Sequence, residues 1–279
     1  MTMTGAALEL ESISRSFATP RGEAFQAVHD VSMTVARGAF LALVGPSGCG
    51  KSTLLNIIAG LLTQSRGQVR VFGEPLTGLN RRATYLFQQD ALLPWKDVRD
   101  NVALGLVLSG VAHGDARARA DEWLARVGLG SFSRHFPAQL SGGMRKRVAM
   151  AQNWIIDRDI LLMDEPFSAL DIHTRHWMET ELLGLWEASG SGHTAGARKT
   201  IVFVTHDLEE AIALADEVLV LSAGPSSRIV SRHEVPLARP RNLLELRTER
   251  AFVDLYRSIW GSLRGEVIRS HRASEAAGA

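Results

Sequence analysis

The chain has 279 residues, 46% hydrophobic and 22% charged, a size and composition that support one large domain or two small ones with a sizeable core. Its 31 Lys and Arg balance 30 Asp and Glu to a formal charge of +1, which excludes the global basic field of a nucleic-acid binder. A single cysteine, Cys49, excludes an intramolecular disulfide, and the long uncharged runs 38–50 and 52–65 fall short of the ~18 apolar residues that a membrane helix requires.

The opening MTMTGAALELES lacks the charged-then-apolar order of a secretion signal, so the cytosol is the expected compartment and any membrane role comes through a partner. Residues 8–13, 28–35, 40–44 and 68–72 read as short strands between glycine-containing breaks. From about 98 to 158 apolar residues recur three and four apart, which predicts a helical insertion. Strand-like runs return at 159–164, 200–205 and 217–222, separated by helical segments at 171–187 and 208–215. Buried strands alternating with helices predict a parallel sheet covered on both faces. ASGSGHTAGAR, 188–198, reads as a surface loop, 240–264 as an amphipathic helical segment, and 271–279 as a frayed tail.

GPSGCGKST, 45–53, satisfies the G-x-x-x-x-G-K-[ST] phosphate loop, and it sits between the apolar strand FLALV and the helical KSTLLNIIAGLL, the context the motif requires. Gly48 and Gly50 let backbone N–H groups close on phosphates at the positive end of a helix. Lys51 supplies a cation and the Ser52 hydroxyl a magnesium ligand. In ILLMDEP a carboxylate, Asp164, ends a buried apolar strand, where it is costly unless it serves a cation or hydrogen-bond donors. With Glu165 next to it, two roles are available: Asp164 orienting the magnesium shell, Glu165 polarising a water as general base. Capping a helix is the alternative for either acid. No D-x-x-G or N-K-x-D string accompanies the loop, which argues against a GTPase.

LSGGMRKRVAMA, 140–151, resembles the LSGGQ signature of ATP-binding cassette (ABC) ATPases. The resemblance extends in order over residues 8–235. Phe17 in SRSF matches the aromatic that stacks on adenine, although a strand phenylalanine can equally belong to the core. The nucleotide-binding residues implied are Phe17, Gly45, Pro46, Ser47, Gly48, Cys49, Gly50, Lys51, Ser52 and Thr53, with Ser141, Gly142 and Gly143 of the signature and Asp171 of SALD. Gln88 in YLFQQD, Glu165 and His206 in FVTHD match the catalytic positions, and Ser52, Gln88 and Asp164 the magnesium positions. Four residues depart from the family pattern: Met144 and Lys146 replace glutamines, Gln152 an arginine, and Arg158 a proline.

This likeness implies an α/β P-loop cassette with a mostly parallel central sheet, an N-terminal antiparallel β-subdomain and a helical subdomain at about 90–158, followed by a helical extension at 236–270. It implies ATP and magnesium, and a head-to-tail pair of identical chains in which each nucleotide lies between Lys51 of one copy and Ser141 of the other. The strings YLFQQDALLPWKDVRDNVALGL, LSGGM and VTHDLEEAIALAD are similar to the nitrate, sulfonate, taurine and bicarbonate importer branch. That branch implies an integral membrane permease, a periplasmic or extracellular solute-binding protein, no nucleic acid, and a place on the cytoplasmic face of the cell membrane. ALLPW is then expected to help form the permease-docking groove, with Leu92, Leu93 and Trp95 as anchors or, alternatively, as helical-subdomain core. A soluble cassette ATPase acting on macromolecules, or an exporter subunit, is the competing reading.

Overall fold

The computed structural model describes residues 5–18, 24–168, 170–188 and 198–278. Polar and apolar residues interleave along Ala6–Ala18 (β1) and Ala24–Ala36 (β2), which pair antiparallel. Both are longer than the segments 8–13 and 28–35 read from the sequence, because register shifts after Leu10 and Ile13 let pairing continue past the breaks in alternation. Phe40–Val44 (β3) is buried at every residue and leads through the phosphate loop into Lys51–Ile58 (α1). Arg66–Val71 (β4) and Glu74–Pro75 (β5) complete a four-stranded sheet in the order β2-β1-β4-β5.

Ala83–Leu86 (β6) is short and half-buried, and its weak apolar signal hides it in the sequence. Three helices follow, Val98–Leu108 (α2), His113–Arg126 (α3) and Gly142–Trp154 (α4). Around them Val98, Val102, Leu106, Leu124 and Val148 build a separate small core. The chain then alternates as Ile160–Asp164 (β7), Ile172–Ala188 (α5), Thr200–Val204 (β8), Leu208–Leu214 (α6) and Glu217–Leu221 (β9). Ile229–Glu234 (β10) pairs antiparallel with β9 and finishes a six-stranded sheet, β10-β9-β3-β8-β7-β6, whose other pairings are all parallel. This is the α/β cassette architecture expected from the sequence.

Alternation along β3 divides the core between two faces. Phe40, Ala42 and Val44 join Phe203, Trp186 and the helices α5 and α6, while Leu41 and Leu43 face α1 and the antiparallel sheet. Phe40 meets Trp186 and Phe203 edge-on, at ring-centroid distances of 5.5 and 5.9 Å.

The C-terminal segment forms Leu243–Leu246 (α7) and Arg250–Gly278 (α8), with Phe252, Ile259 and Leu263 buried against the cassette. Its backbone is helical through residue 278, where a frayed tail was expected. The run RASEAA is made largely of good helix formers and prolongs a helix already anchored upstream. Of the loop expected at 188–198, residues 189–197 lie outside the described residues. No helix of the described residues is long and apolar enough to cross a membrane.

Candidate active site

The six-stranded sheet delivers its functional residues to one edge, because β3, β7 and β8 run parallel and end side by side. After β3 the chain turns at Gly45, where an added Cβ would lie 2.8 Å from Cys49 Sγ and 3.1 Å from the Leu221 carbonyl oxygen. Gly50 precedes α1 at φ 92°, and its absent side chain leaves room for Val28, whose Cγ1 would be 2.6 Å from a Cβ. Around Gly48, at φ 74°, a Cβ would meet nothing within 4 Å, so the loop presents open backbone there. Ser47, Gly48 and Ser52 are exposed, Thr53 is half-buried, and Pro46 and Cys49 are buried. Burial pushes the Cys49 thiol up, which keeps it neutral and inert. Lys51 Nζ donates to the carbonyl oxygens of Gly45 (2.8 Å) and Pro46 (3.0 Å), which aims its charge along the inside of the loop.

Asp164 ends β7 and faces α1. Its Oδ1 accepts from the Ser52 hydroxyl at 3.1 Å and its Oδ2 from the Tyr85 hydroxyl at 3.3 Å. Burial raises the pKa of Asp164, and these two donors oppose the rise by favouring the carboxylate. Tyr85 is itself pushed upward by burial and by Asp164, so it remains a donor. Glu165 follows at φ 42°, a left-handed conformation costly for a residue with a Cβ. The position is held by its N–H donating to the Val204 carbonyl of β8 at 2.9 Å and by the Ser168 hydroxyl on its own carbonyl at 3.0 Å. Its Oε2 lies 3.3 Å from Gln88 Nε2 and 3.2 Å from His206 Nδ1. Residues 41 and 77 positions away thus converge on one carboxylate oxygen.

Magnesium requires hard oxygen ligands and shares its shell with substrate phosphates, so one or two protein oxygens suffice. The Ser52 hydroxyl hydrogen-bonded to the buried Asp164 carboxylate, at the mouth of the loop, fits that donor set. Among the described residues no three His, Cys, Asp or Glu side chains converge into a closed cage for another metal.

Ser141, Gly142, Gly143 and Asp171 form a second group. Ser141 caps α4, its Oγ accepting from the Met144 N–H at 3.2 Å, and both Ser141 and Gly142 are exposed. Asp171 caps α5 by accepting from the Thr174 N–H at 3.0 Å. The two caps are neighbours, because a Cβ on Gly143 would lie 2.9 Å from Thr174 Cγ2. Phe17 is half-buried at the end of β1, paired across the strand with Phe25, and the Arg15 guanidinium lies 4.7 Å over its ring. It is therefore not a core residue.

A carboxylate held by an amide and an imidazole, beside a carboxylate–hydroxyl pair and a lysine-bearing phosphate loop, is a set able to activate water against a phosphoryl group. Comparison with known proteins agrees. The profile of the ABC transporter family matches residues 28–168. The chain belongs to the ABC transporter ATPases. It is 46% identical over 206 residues to the taurine import ATP-binding protein TauB of Yersinia pestis bv. Antiqua (strain Antiqua), covering 74% of this chain and 77% of that protein. It is 38% identical over 242 residues to the nitrate import ATP-binding protein NrtD of Synechococcus elongatus, covering 86% and 85%. Among solved structures, the dimeric post-hydrolysis ATP-binding cassette MJ0796 bound to ADP and Pi superposes with a TM-score of 0.72 at 30% identity, over 83% of this chain and 100% of that one.

Within this ABC ATPase, Lys146 is buried, and its Nζ donates to the carbonyl oxygens of Gln88 and, at 3.3 Å, Phe87, while pairing with Asp90 at 3.2 Å. The departure at 146 therefore ties the signature helix to the backbone of the Gln88 loop. Gln152 and Arg158 border apolar grooves beside α4. Nothing in the structure explains why glutamine and arginine stand there.

Of the ALLPW residues, Leu92 packs between the main and helical cores and Leu93 is half-buried. Trp95 is 72% exposed, which corrects the alternative that it is core. An apolar groove of about 420 Å³ is lined by Leu61, Leu79, Tyr85, Phe87, Leu108 and Ile156, and by none of Leu92, Leu93 and Trp95.

Three supporting residues escaped the sequence reading. The Tyr85 hydroxyl reaches Asp164. Buried Ser227 donates to the carbonyl oxygen of Cys49 and so braces the phosphate loop. Asn101, fully buried, accepts from Leu93 N–H at 2.7 Å and donates to the carbonyls of Leu93, Lys96 and Asp97, fixing the ALLPW turn on α2. Only a buried asparagine at an apolar helix position offered a signal.

Proposed function

We propose that this chain is the ATP-hydrolysing subunit that energises import of a small anionic solute, of the nitrate, sulfonate or taurine kind, through a separate membrane permease. The observation that carries hydrolysis is the meeting of Gln88 and His206 at one oxygen of Glu165. The taurine and nitrate import roles in the names of its relatives support the import half.

In this reading, 8–235 forms the cassette and the later helices an extension packed on it. Phe17 stacks on the adenine. The loop 45–53 binds the phosphates through backbone N–H groups, and Lys51 leaves the Gly45 and Pro46 carbonyls for the β- and γ-phosphates. Ser52, Asp164 and Gln88 would hold magnesium, which when bound neutralises charge on the phosphate oxygens. Glu165 accepts the proton of the attacking water, Gln88 orients that water, and His206 holds the Glu165 carboxylate toward the γ-phosphate. Because Ser141 and Asp171 cap helices rather than join this cluster, they are presented to a second copy, whose nucleotide they close in a head-to-tail dimer; the cassette MJ0796, which this chain resembles, is itself dimeric. The groove along Phe87 and Leu108 suits the apolar face of a short permease helix at the cytoplasmic membrane face. Closure by ATP and opening after hydrolysis then reach the permease through Gln88, which shares the loop with Phe87.

Reconstitution with its permease and solute-binding protein in sealed vesicles tests this. ATP-dependent uptake of taurine, another sulfonate or nitrate is expected, with hydrolysis stimulated by the loaded binding protein. Hydrolysis that no permease stimulates, with none of these solutes accumulated, would sink the import reading and leave the ATPase.

A further inference from the structure

The phosphate loop occupies the edge of the six-stranded sheet where its parallel strands end. At the opposite edge four adjacent strands, β3, β8, β7 and β6, begin, and charged residues precede each of them. Arg37 lies before β3, Arg198 before β8, Asp159 before β7 and Arg82 before β6. Hydrogen bonds knit these starts together: Thr200 N–H to the Asp159 carbonyl at 2.8 Å, Ile160 N–H to the Arg82 carbonyl at 3.0 Å, and Gly38 N–H to the Thr200 side-chain hydroxyl at 2.9 Å. With Phe72 and Glu74 from the antiparallel sheet they enclose a polar cavity of about 270 Å³.

The charges in this cavity do not cancel. Arg82 pairs with Asp159 at 3.1 Å. Among the described residues, the side chains of Arg37 and Arg198 have no carboxylate within ion-pair distance and no hydrogen-bond acceptor, and Arg37 Nε is buried without a partner. Aromatic faces hold them instead. The Arg37 and Arg82 guanidinium carbons lie 4.8 and 5.0 Å from the centroid of Phe72, and that of Arg198 lies 4.4 Å from Trp186. Stacking covers the face of a guanidinium and leaves its N–H edge free for an oxyanion. Phe72 is held at φ 52°, a conformation costly for an aromatic residue. Strain of that kind persists only where the surroundings over-determine it.

We propose that this cavity is a second anion site, which binds a small oxyanion of the phosphate, sulfate or sulfonate type. Among the described residues, two guanidinium groups without a carboxylate partner stand against one carboxylate without a cation partner, Glu74, which gives the net attraction, and planar N–H forks match the oxygens of such an anion. A cavity of about 270 Å³ admits an ion of this size and is small for a nucleotide. Two sources share that chemistry: inorganic phosphate released by hydrolysis, and a sulfonate solute, the latter resting on the import reading above. The site itself rests on neither.

Calorimetric titration of the full chain tests the site, with the phosphate loop filled by a non-hydrolysable ATP analogue and magnesium so that anions cannot enter there. Phosphate, sulfate and methanesulfonate are titrated at matched ionic strength. One site per chain is expected. Arg37→Gln and Arg198→Gln should each weaken it roughly tenfold or more, the worth of a charge-assisted bond. Glu74→Gln should tighten it a fewfold, an outcome that general damage to the fold does not produce. If Arg198→Gln fails to fold, Arg37→Gln and Glu74→Gln decide alone. Phosphate binding tightest assigns the product as ligand, methanesulfonate tightest assigns a sulfonate, and equal binding keeps the shared oxyanion chemistry. No binding of any of the three up to roughly 10 mM, or unchanged binding in the arginine variants, overturns the proposal.

Discussion

The two groups of motif residues are satisfied in opposite ways. Around Glu165, side chains from the ends of β6, β7 and β8 and the start of α1 bond to one another: Ser52 and Tyr85 to Asp164, Gln88 and His206 to Glu165. In the second group, the Ser141 and Asp171 side chains bond to the first turns of their own helices, and both residues are exposed. The first arrangement, the proposed reaction centre, is assembled within one chain by parallel strands that end together. The second is a pair of helix starts whose N–H groups point outward, able to receive an anion held by something else. In the proposed function, a site divided in this way makes hydrolysis depend on association, and association is a motion that can be passed on.

The widest test of that contrast removes the cation from the first group. Lys51→Ala should lower ATP hydrolysis by about three orders of magnitude or more and weaken ATP binding, since the lysine is the one cation inside the loop. Wild-type affinity and rate would end the phosphate-loop assignment. Glu165→Gln should cost about 10²–10⁴ in turnover, the usual worth of a general base, while ATP binding stays intact. Size-exclusion chromatography with ATP and magnesium should then trap a dimer. Persistent hydrolysis by a monomer would show Glu165 misassigned.

Ser141→Arg addresses the second group. ATP affinity should stay within a fewfold of wild type, because the variant leaves untouched Lys51 and Phe17, the residues proposed to hold the nucleotide, while hydrolysis falls by about 10². Mixed with Lys51→Ala, it should recover up to roughly a quarter of wild-type activity, since half the random dimers are mixed and each of those carries one intact site. Ser141→Arg hydrolysing at the wild-type rate, in proportion to concentration down to monomeric dilutions, contradicts the division.

Much of the first group was legible in the sequence. FLALV before GPSGCGKST, ILLMD before Glu165 and TIVFVTHD around His206 are each a buried strand followed by its candidate site residue, so local pattern fixes both the element and the place of that residue at its end. What stayed hidden depends on partners far along the chain. Ser227 meets Cys49 across 178 residues and Tyr85 meets Asp164 across 79, and neither serine nor tyrosine announces a partner locally. Arg241 is the plainest case. It reads as one of several arginines in a mixed-charge segment, yet it is buried and donates to the carbonyls of Ala213 (2.9 Å) and Ala215 (2.8 Å) at the end of α6. Burial lowers its pKa to about 10, still far above neutrality, so it stays a cation at the negative end of that helix. The extension thus holds the helix that begins just after His206.

The start of that same helix provides the finest test, because there the first group carries a cost in folding. Glu210 is buried in the first turn of α6, with its Oε2 accepting from the hydroxyl of Thr205, the residue before His206, at 2.6 Å and its Oε1 3.7 Å from Arg175. Burial above all, reinforced by Asp207 and Glu179 and opposed by Thr205 and Arg175, raises its pKa from 4.5 to about 7. A carboxyl whose folded pKa is raised binds its proton more tightly in the native state than when unfolded. Its contribution to stability is therefore full below pH 4.5, falls as pH rises toward 7 and is level above, with a total span of about 3 kcal/mol. Glu210→Gln keeps an oxygen for the Thr205 hydroxyl and removes the titration. In urea unfolding, the wild type minus the variant should lose about 3 kcal/mol between acid and neutral pH, while His206 and Glu165 keep their contact and hydrolysis changes a fewfold at most. Parallel stability curves for the two proteins would mean that Glu210 stays ionised in the folded chain, paired with Arg175, and that this buried acid imposes no such cost.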